Sequence, residues 1–179
     1  MINHRIRRFI LNGGLIAYPT ESCYGLGCSP FLYKSIMRIN TLKNRAKNKN
    51  LIVIGSHLNQ FDRLINIMNA NEMRKLYTKW PGSHTWLIKA NIKSPKWLIS
   101  SNKIALRIPS FMPCRKLINE ISYPIISTSL NKSGKRSIKN YRDACRLFNG
   151  KVKIIKGRIG RNRNPSSIHD FSSGMIYRN

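Results

Sequence analysis

Lys43 and Arg45 stand two residues apart, just before an apolar run that begins at Leu51. Residues i and i+2 diverge on a helix and share a face on an extended chain. The pair therefore acts on one point only if the backbone has left the helix there. Two converging cations suit a triphosphate, whose charge must be neutralised as its α-phosphate is attacked; a solvated basic loop is the plainer reading of 43–49. Ser127-Thr128-Ser129-Leu130-Asn131-Lys132-Ser133-Gly134 directly follows the apolar Ile125-Ile126. Ligands of open sheets gather beyond strand ends. Ser129 and Asn131 repeat the i, i+2 relation and suit a ribose, a base edge or an amino acid, unless the stretch is a polar turn. Arg107 interrupts an apolar strand pattern, where a charge needs a partner or a ligand carboxylate, or else an edge position facing solvent. Tyr18 to Gly27 combines hydroxyls, the scarce carboxylate Glu21 and two glycines. The glycines permit close backbone approach or positive φ. The segment is neither a phosphate-binding G-x-x-x-x-G-K-[ST] loop nor a dinucleotide fingerprint; a strand-to-loop turn also accounts for it.

These residues need strands to carry them. Apolar periodicity predicts helices over 2–12, 31–43, within 59–79, over 113–121 and over 139–148. Strands are expected at 15–18, 51–54, 85–90, 103–108, 125–128, 152–156, 166–170 and 174–178. In 103–108, Ile104, Leu106 and Ile108 point one way, Ala105 and Arg107 the other. The expectation is one mixed α/β domain over 1–179, a central sheet with helices packed on it.

The 179 residues contain 33 Lys+Arg and 6 Asp+Glu, a formal net charge of +27. The number of charges is ordinary and only their sign is skewed. A polyanion such as RNA favours that skew; so does compositional drift, since Ile, Asn and Lys are dense, and a membrane surface is a third account. Hydrophobic residues at 41% support a real core. Four cysteines, none in C-x-x-C, fit reduced thiols in a cytosolic protein. No apolar run is long enough for a membrane span. His84 and His169 read as lone histidines, and no metal-ligand spacing occurs. With so few carboxylates, a protein-built two-metal site is not supported.

Six segments, taken in order, resemble one family. They are Pro-Thr-Glu-x-x-Tyr-Gly-Leu-Gly at 19–27, Lys-x-Arg at 43–45, Trp-Pro-Gly-x-x-Thr at 80–85, Arg-Ile-Pro at 107–109, Ser-Thr-Ser-x-Asn-x-Ser-Gly at 127–134, and Asn-Pro-Ser-Ser-Ile-x-Asp at 164–170. The chain resembles the YrdC/TsaC threonylcarbamoyl-AMP synthases over essentially its whole length, in their single-domain form. The resemblance implies a YrdC-like twisted open mixed sheet with flanking helices and a deep basic cleft. It also implies a nucleotidyltransferase that converts L-threonine, bicarbonate and ATP to threonylcarbamoyl-AMP and pyrophosphate. Partner transferases would then modify the adenosine beside the anticodon of tRNA.

By the family pattern Lys43 and Arg45 are the catalytic cations. Lys43, Arg45, Lys49, Ser129, Asn131 and Arg178 would hold the nucleotide. Thr20, Arg107, Ser127 and Ser166 would hold threonine, with Arg107 on its carboxylate. Magnesium would travel with ATP, with no protein-bound metal, and the location would be cytoplasmic. The chain departs from the pattern at Ala46, Ser83 and Leu130; Leu130, between two expected contacts, either fills core or lowers affinity. Two other functions compete: a non-catalytic module of the same fold binding double-stranded RNA or tRNA, and a carbamoyl-phosphate-using domain. The latter usually lies inside a much longer chain.

Overall fold

The computed structural model describes residues 2–45, 51–162 and 164–178. In chain order the elements are α1 (Ile2–Leu11), β1 (Ile16–Pro19), β2 (Tyr24–Gly27), α2 (Tyr33–Lys43), β3 (Ile52–Ile54), α3 (Ala70–Tyr77), β4 (His84–Lys89), β5 (Lys103–Arg107), α4 (Met112–Ile121), β6 (Ile125–Ser129), α5 (Tyr141–Phe148), β7 (Lys153–Ile154), β8 (Ser167–Asp170) and β9 (Ile176–Arg178). Among the described residues the strands form one nine-stranded sheet in the order β7-β1-β2-β6-β3-β5-β4-β8-β9. It is mixed, as expected: β1–β7, β3–β5 and β4–β8 pair parallel, the other neighbours antiparallel.

The expected turn after Pro19 is a hairpin instead. Pro19 pairs with Tyr24, and the Thr20 amide donates to the Cys23 carbonyl at 2.9 Å. Gly25 and Gly27 therefore lie in a strand. Of the two roles open to them, close approach is the one used. A Cβ on Gly27 would lie 2.7 Å from the Ile126 carbonyl oxygen of β6, and one on Gly25 would meet the Thr20 side chain at 2.9 Å. The 59–79 region holds one α-helix, α3, and a short 3-10 turn at Leu58–Phe61. The start of α3 is fixed by a reciprocal cap: Asn69 accepts from the Glu72 amide and Glu72 from the Asn69 amide. Leu64 and Ile65 are buried outside any helix.

Strand side chains alternate between faces, and the faces are covered unequally. On one face Val53, Trp86, Ile88, Ile104, Leu106 and Ile126 pack with Ile36 and Ile39 of α2, Leu76 of α3 and Ala144 and Phe148 of α5. On the other, Ile16, Tyr18, Ile54 and Ile125 pack with Ile6 and Ile10 of α1 and Cys114, Ile118 and Ile121 of α4. That second layer covers only part of its face. Along β6 the residues on that face run Ile125, Ser127, Ser129. Along β5 they run Arg107, Ala105, Lys103. Past the two helices these strands turn polar.

Leu130 is fully buried and belongs to the main core. It fills core, as one of the two readings of that departure required.

Replacing Gly27 by alanine should lower stability by about 1–3 kcal/mol, because the new methyl meets backbone that cannot rotate away. Urea unfolding of the two proteins checks this; an unchanged midpoint would show that β2 and β6 can separate freely.

Candidate active site

The half-covered face holds a cleft of about 470 Å³, within the roughly 300–1,000 Å³ of small-molecule sites. Thr20, Cys23 and Gly25 of the β1–β2 hairpin form one wall, and Ser127, Thr128 and Ser129 of β6 the floor. Lys103, Ala105 and Arg107 of β5 continue it towards Ser166, Ile168 and Arg178. A side recess of about 60 Å³ adds Glu21, Ser83 and Cys114.

Seven of the expected site residues line this cleft: Thr20, Arg45, Arg107, Ser127, Ser129, Ser166 and Arg178. Lys49, like Ala46, lies outside the described residues. Lys43 and Asn131 stand behind the cleft wall. Helix α2 ends at Lys43 because Asn44 adopts a left-handed conformation, φ 49° and ψ 53°. The backbone has thus left the helix between the two cations. Arg45 reaches the cleft and donates to Thr128 Oγ1 at 3.0 Å. Lys43 turns inward and is 3% exposed. Its ammonium donates to the Ser129 carbonyl, to the Asn131 carbonyl at 3.0 Å and to Asn131 Oδ1 at 2.7 Å. Ser129 Oγ also donates to Asn131 Oδ1, at 2.7 Å, and the Asn131 amide nitrogen to the Lys135 carbonyl at 2.5 Å. Lys43 and Asn131 thus hold the end of β6 that presents Ser129.

Arg107 leaves the middle of the sheet, since β5 lies between β3 and β4; the solvent-facing edge reading fails. Its Nε donates to the Gly82 carbonyl at 2.9 Å and its Nη2 to Glu21 Oε1 at 2.6 Å. At the same end Ser127 Oγ accepts from the Tyr18 hydroxyl at 2.7 Å. Ser166 Oγ lies 2.8 Å from Thr85 Oγ1 and 3.2 Å from Arg178 Nη2, while Arg178 Nε donates to the Ser166 carbonyl at 2.8 Å. Arg178, expected beside the nucleotide, and Ser166, expected beside threonine, therefore touch. Tyr18, Glu21 and Thr85 also shape the site. Each lay inside a quoted segment or beside one, but only the cross-strand contacts reveal their partners.

Burial strips solvent from these cations. It pulls Lys43 down to about 8, helped by Arg45, with Cys23 opposing. It lowers Arg45, and it lowers Arg178 together with the charge of Arg107. Lys103 instead pairs with buried Asp170. Burial pushes the Asp170 carboxyl up, yet hydrogen bonds from Lys103 and the Ser173 and Ser172 amides outweigh it and hold the group at about 2. His84 and His169 are not isolated: their rings lie 4.3 Å apart. Burial, His169 and nearby cations lower His84 to about 4. No cluster of three or more metal-ligating side chains occurs among the described residues.

The profile of the Sua5, YciO and YrdC proteins, described as "Telomere recombination", matches residues 8–179. The chain belongs to this family. A protein of Methylobacillus flagellatus named threonylcarbamoyl-AMP synthase is 37% identical over 174 residues, 97% of each chain. One of that name from Neisseria gonorrhoeae is 39% identical over 172 residues, 95% of this chain and 91% of its own. A solved structure of P. abyssi Sua5 complexed with L-threonine superposes with a TM-score of 0.82 at 28% identity, over 94% of this chain. This family member spans only half of that longer Sua5 chain.

Lys43 gives a stability signature of unusual sign. Its folded-state value lies below the ordinary 10.5, so between about 8 and 10.5 the unfolded chain binds more protons. The Lys43 contribution to stability therefore rises with pH across that window, by at most about 3 kcal/mol. Urea unfolding of the parent and of Lys43→Met from pH 7.5 to 10.5 checks it in the difference between the two: Cys28, Cys114 and Tyr18, raised by burial, pull both curves down as pH rises, and the parent should gain on the variant across the window. Parallel curves would place Lys43 in water.

Proposed function

We propose that this chain makes threonylcarbamoyl-AMP and pyrophosphate from L-threonine, bicarbonate and ATP, supplying the activated group for tRNA modification. One observation carries the reading: a cleft on one sheet face gathers Arg45 with Ser129 at one end and Arg107 with Thr20, Ser127 and Ser166 at the other. The names of the full-length relatives support it.

Arg45 and Ser129 would receive the nucleotide and its phosphates, on a loop that Lys43 and Asn131 hold rigid. Arg107 would take the amino-acid carboxylate, with Thr20, Ser127 and Ser166 around the amine and hydroxyl. Arg178 would stand between the two ends. The threonine amine and bicarbonate give a carbamate with loss of water. A carbamate oxygen attacks the α-phosphorus and pyrophosphate leaves. No covalent enzyme intermediate is required, and catalysis rests on positioning and charge neutralisation. Magnesium would come with ATP, held mainly by phosphates and water.

The 1–179 chain would act as one domain in the cytoplasm and hand its product to a transferase. No described helix is long and apolar enough to cross a membrane. The relatives' names favour the enzyme over the RNA-binding module, and the match along nearly their full length disfavours the carbamoyl-phosphate reading.

Arg107→Lys should raise the threonine requirement tenfold or more and leave the ATP requirement nearly unchanged, because lysine cannot reproduce a two-pronged grip on a carboxylate. Threonine- and bicarbonate-dependent pyrophosphate release, titrated in each substrate, decides it. A selective rise for ATP would reverse the assigned ends of the cleft, and no pyrophosphate release from the parent would end the synthase reading.

A further inference from the structure

Three arginines, Arg45, Arg107 and Arg178, line one cleft. A guanidinium binds phosphate as readily as carboxylate. Nothing in the arginines themselves therefore reserves one end for an amino acid when a ligand with a polyphosphate tail enters the same space. Arg107 and Arg178 are close enough for the charge of Arg107 to depress Arg178. Alone, such a pair favours the ligand with most negative charge.

Glu21 changes that balance. Among the described residues lining the cleft and its recess it is the one acidic side chain. Its carboxylate sits 2.6 Å from Arg107, with side-chain exposures of 11% for Glu21 and 13% for Arg107. The surrounding backbone fixes it: the Asn162 amide donates to the Glu21 carbonyl at 3.2 Å and the Gly160 amide to the Thr20 carbonyl at 2.9 Å. A Cβ on Gly160 would meet the Glu21 carbonyl oxygen at 2.7 Å. Arg107 is held from behind by the Gly82 carbonyl.

We propose that Glu21 is the specificity-determining residue that keeps polyphosphate off the Arg107 end of the cleft. The inference rests on the amino-acid site proposed above. An amino acid is a zwitterion: its carboxylate meets Arg107 while its ammonium is attracted to Glu21, so the pair suits it. A polyphosphate brings only negative charge and meets the same carboxylate as repulsion, in a site too buried for water to screen it well. Glu21 thereby confines phosphates to the Arg45 end.

The test is calorimetric titration of the full chain with tripolyphosphate and with L-threonine, each alone and each in the presence of the other, at 0.1 M salt. In the parent the two should bind independently. In Glu21→Gln, saturating tripolyphosphate should weaken threonine binding tenfold or more. Glu21→Asp, which keeps the charge, should restore independence. Independence persisting in a cooperatively folded Glu21→Gln overturns the proposal, and so does competition in the parent, which needs no variant. If threonine fails to bind the parent at all, the amino-acid site itself falls; if it binds but competes, only the role of Glu21 falls.

Discussion

Everything at the site follows from one sheet face that is covered by helices over only part of its extent. A strand exposes alternate residues to each side, so wherever a second layer stops, every other residue must tolerate water or ligand. Helices α1 and α4 shelter Ile16, Ile54 and Ile125. Beyond them the same rows continue as Thr20, Ser127, Ser129 and Lys103. On the opposite face Ile104, Leu106 and Ile126 alternate with the cleft residues and stay buried. The cleft is thus a property of the sheet. That suits a reaction that depends on holding ligands in register.

The electrostatics follow from the same geometry. Burial lowers Lys43, Arg45 and Arg178, the signature of cations stripped of solvent. The overall +27 is a different matter. Exposed lysines more than about 10 Å from the chemistry are screened at 0.1 M salt. They bear on long-range attraction of polyanions and little on what happens in the cleft.

Much of this was legible in the sequence because burial imposes period. The rows Ile104-Leu106-Ile108 and Ala105-Arg107 placed Arg107 on the cleft side, and the apolar run before Ser127 placed the floor. Two things were not legible. The hairpin β1–β2 is hidden by Pro19 and two glycines, which read as punctuation; its strand character comes from pairing with β6 and from the lack of room for a Cβ at Gly27. The division of labour between Lys43 and Arg45 was equally hidden. Spacing said that both cations leave a helix end, but the direction of Lys43 depends on three acceptors at the end of β6 and just after it, 86 to 88 residues away. A single sequence carries no record of such a contact.

That contact explains why an apolar residue sits between Ser129 and Asn131. Ser129 ends β6 and the chain bends at Leu130 and Asn131, so that Leu130 turns into the core while the residues on either side of it meet the Lys43 ammonium. The Leu130 amide donates to the Tyr24 carbonyl at 2.8 Å, and its carbonyl accepts from Ile138 at 3.1 Å. With its side chain fully buried, the backbone there is fixed from one side by the core and from the other by the Lys43 ammonium. Leu130 thus anchors the backbone in the core and does not obstruct the cleft. The Ser129 hydroxyl is thereby presented from the end of β6, held by the burial of Leu130 on one side and by the desolvated Lys43 ammonium on the other.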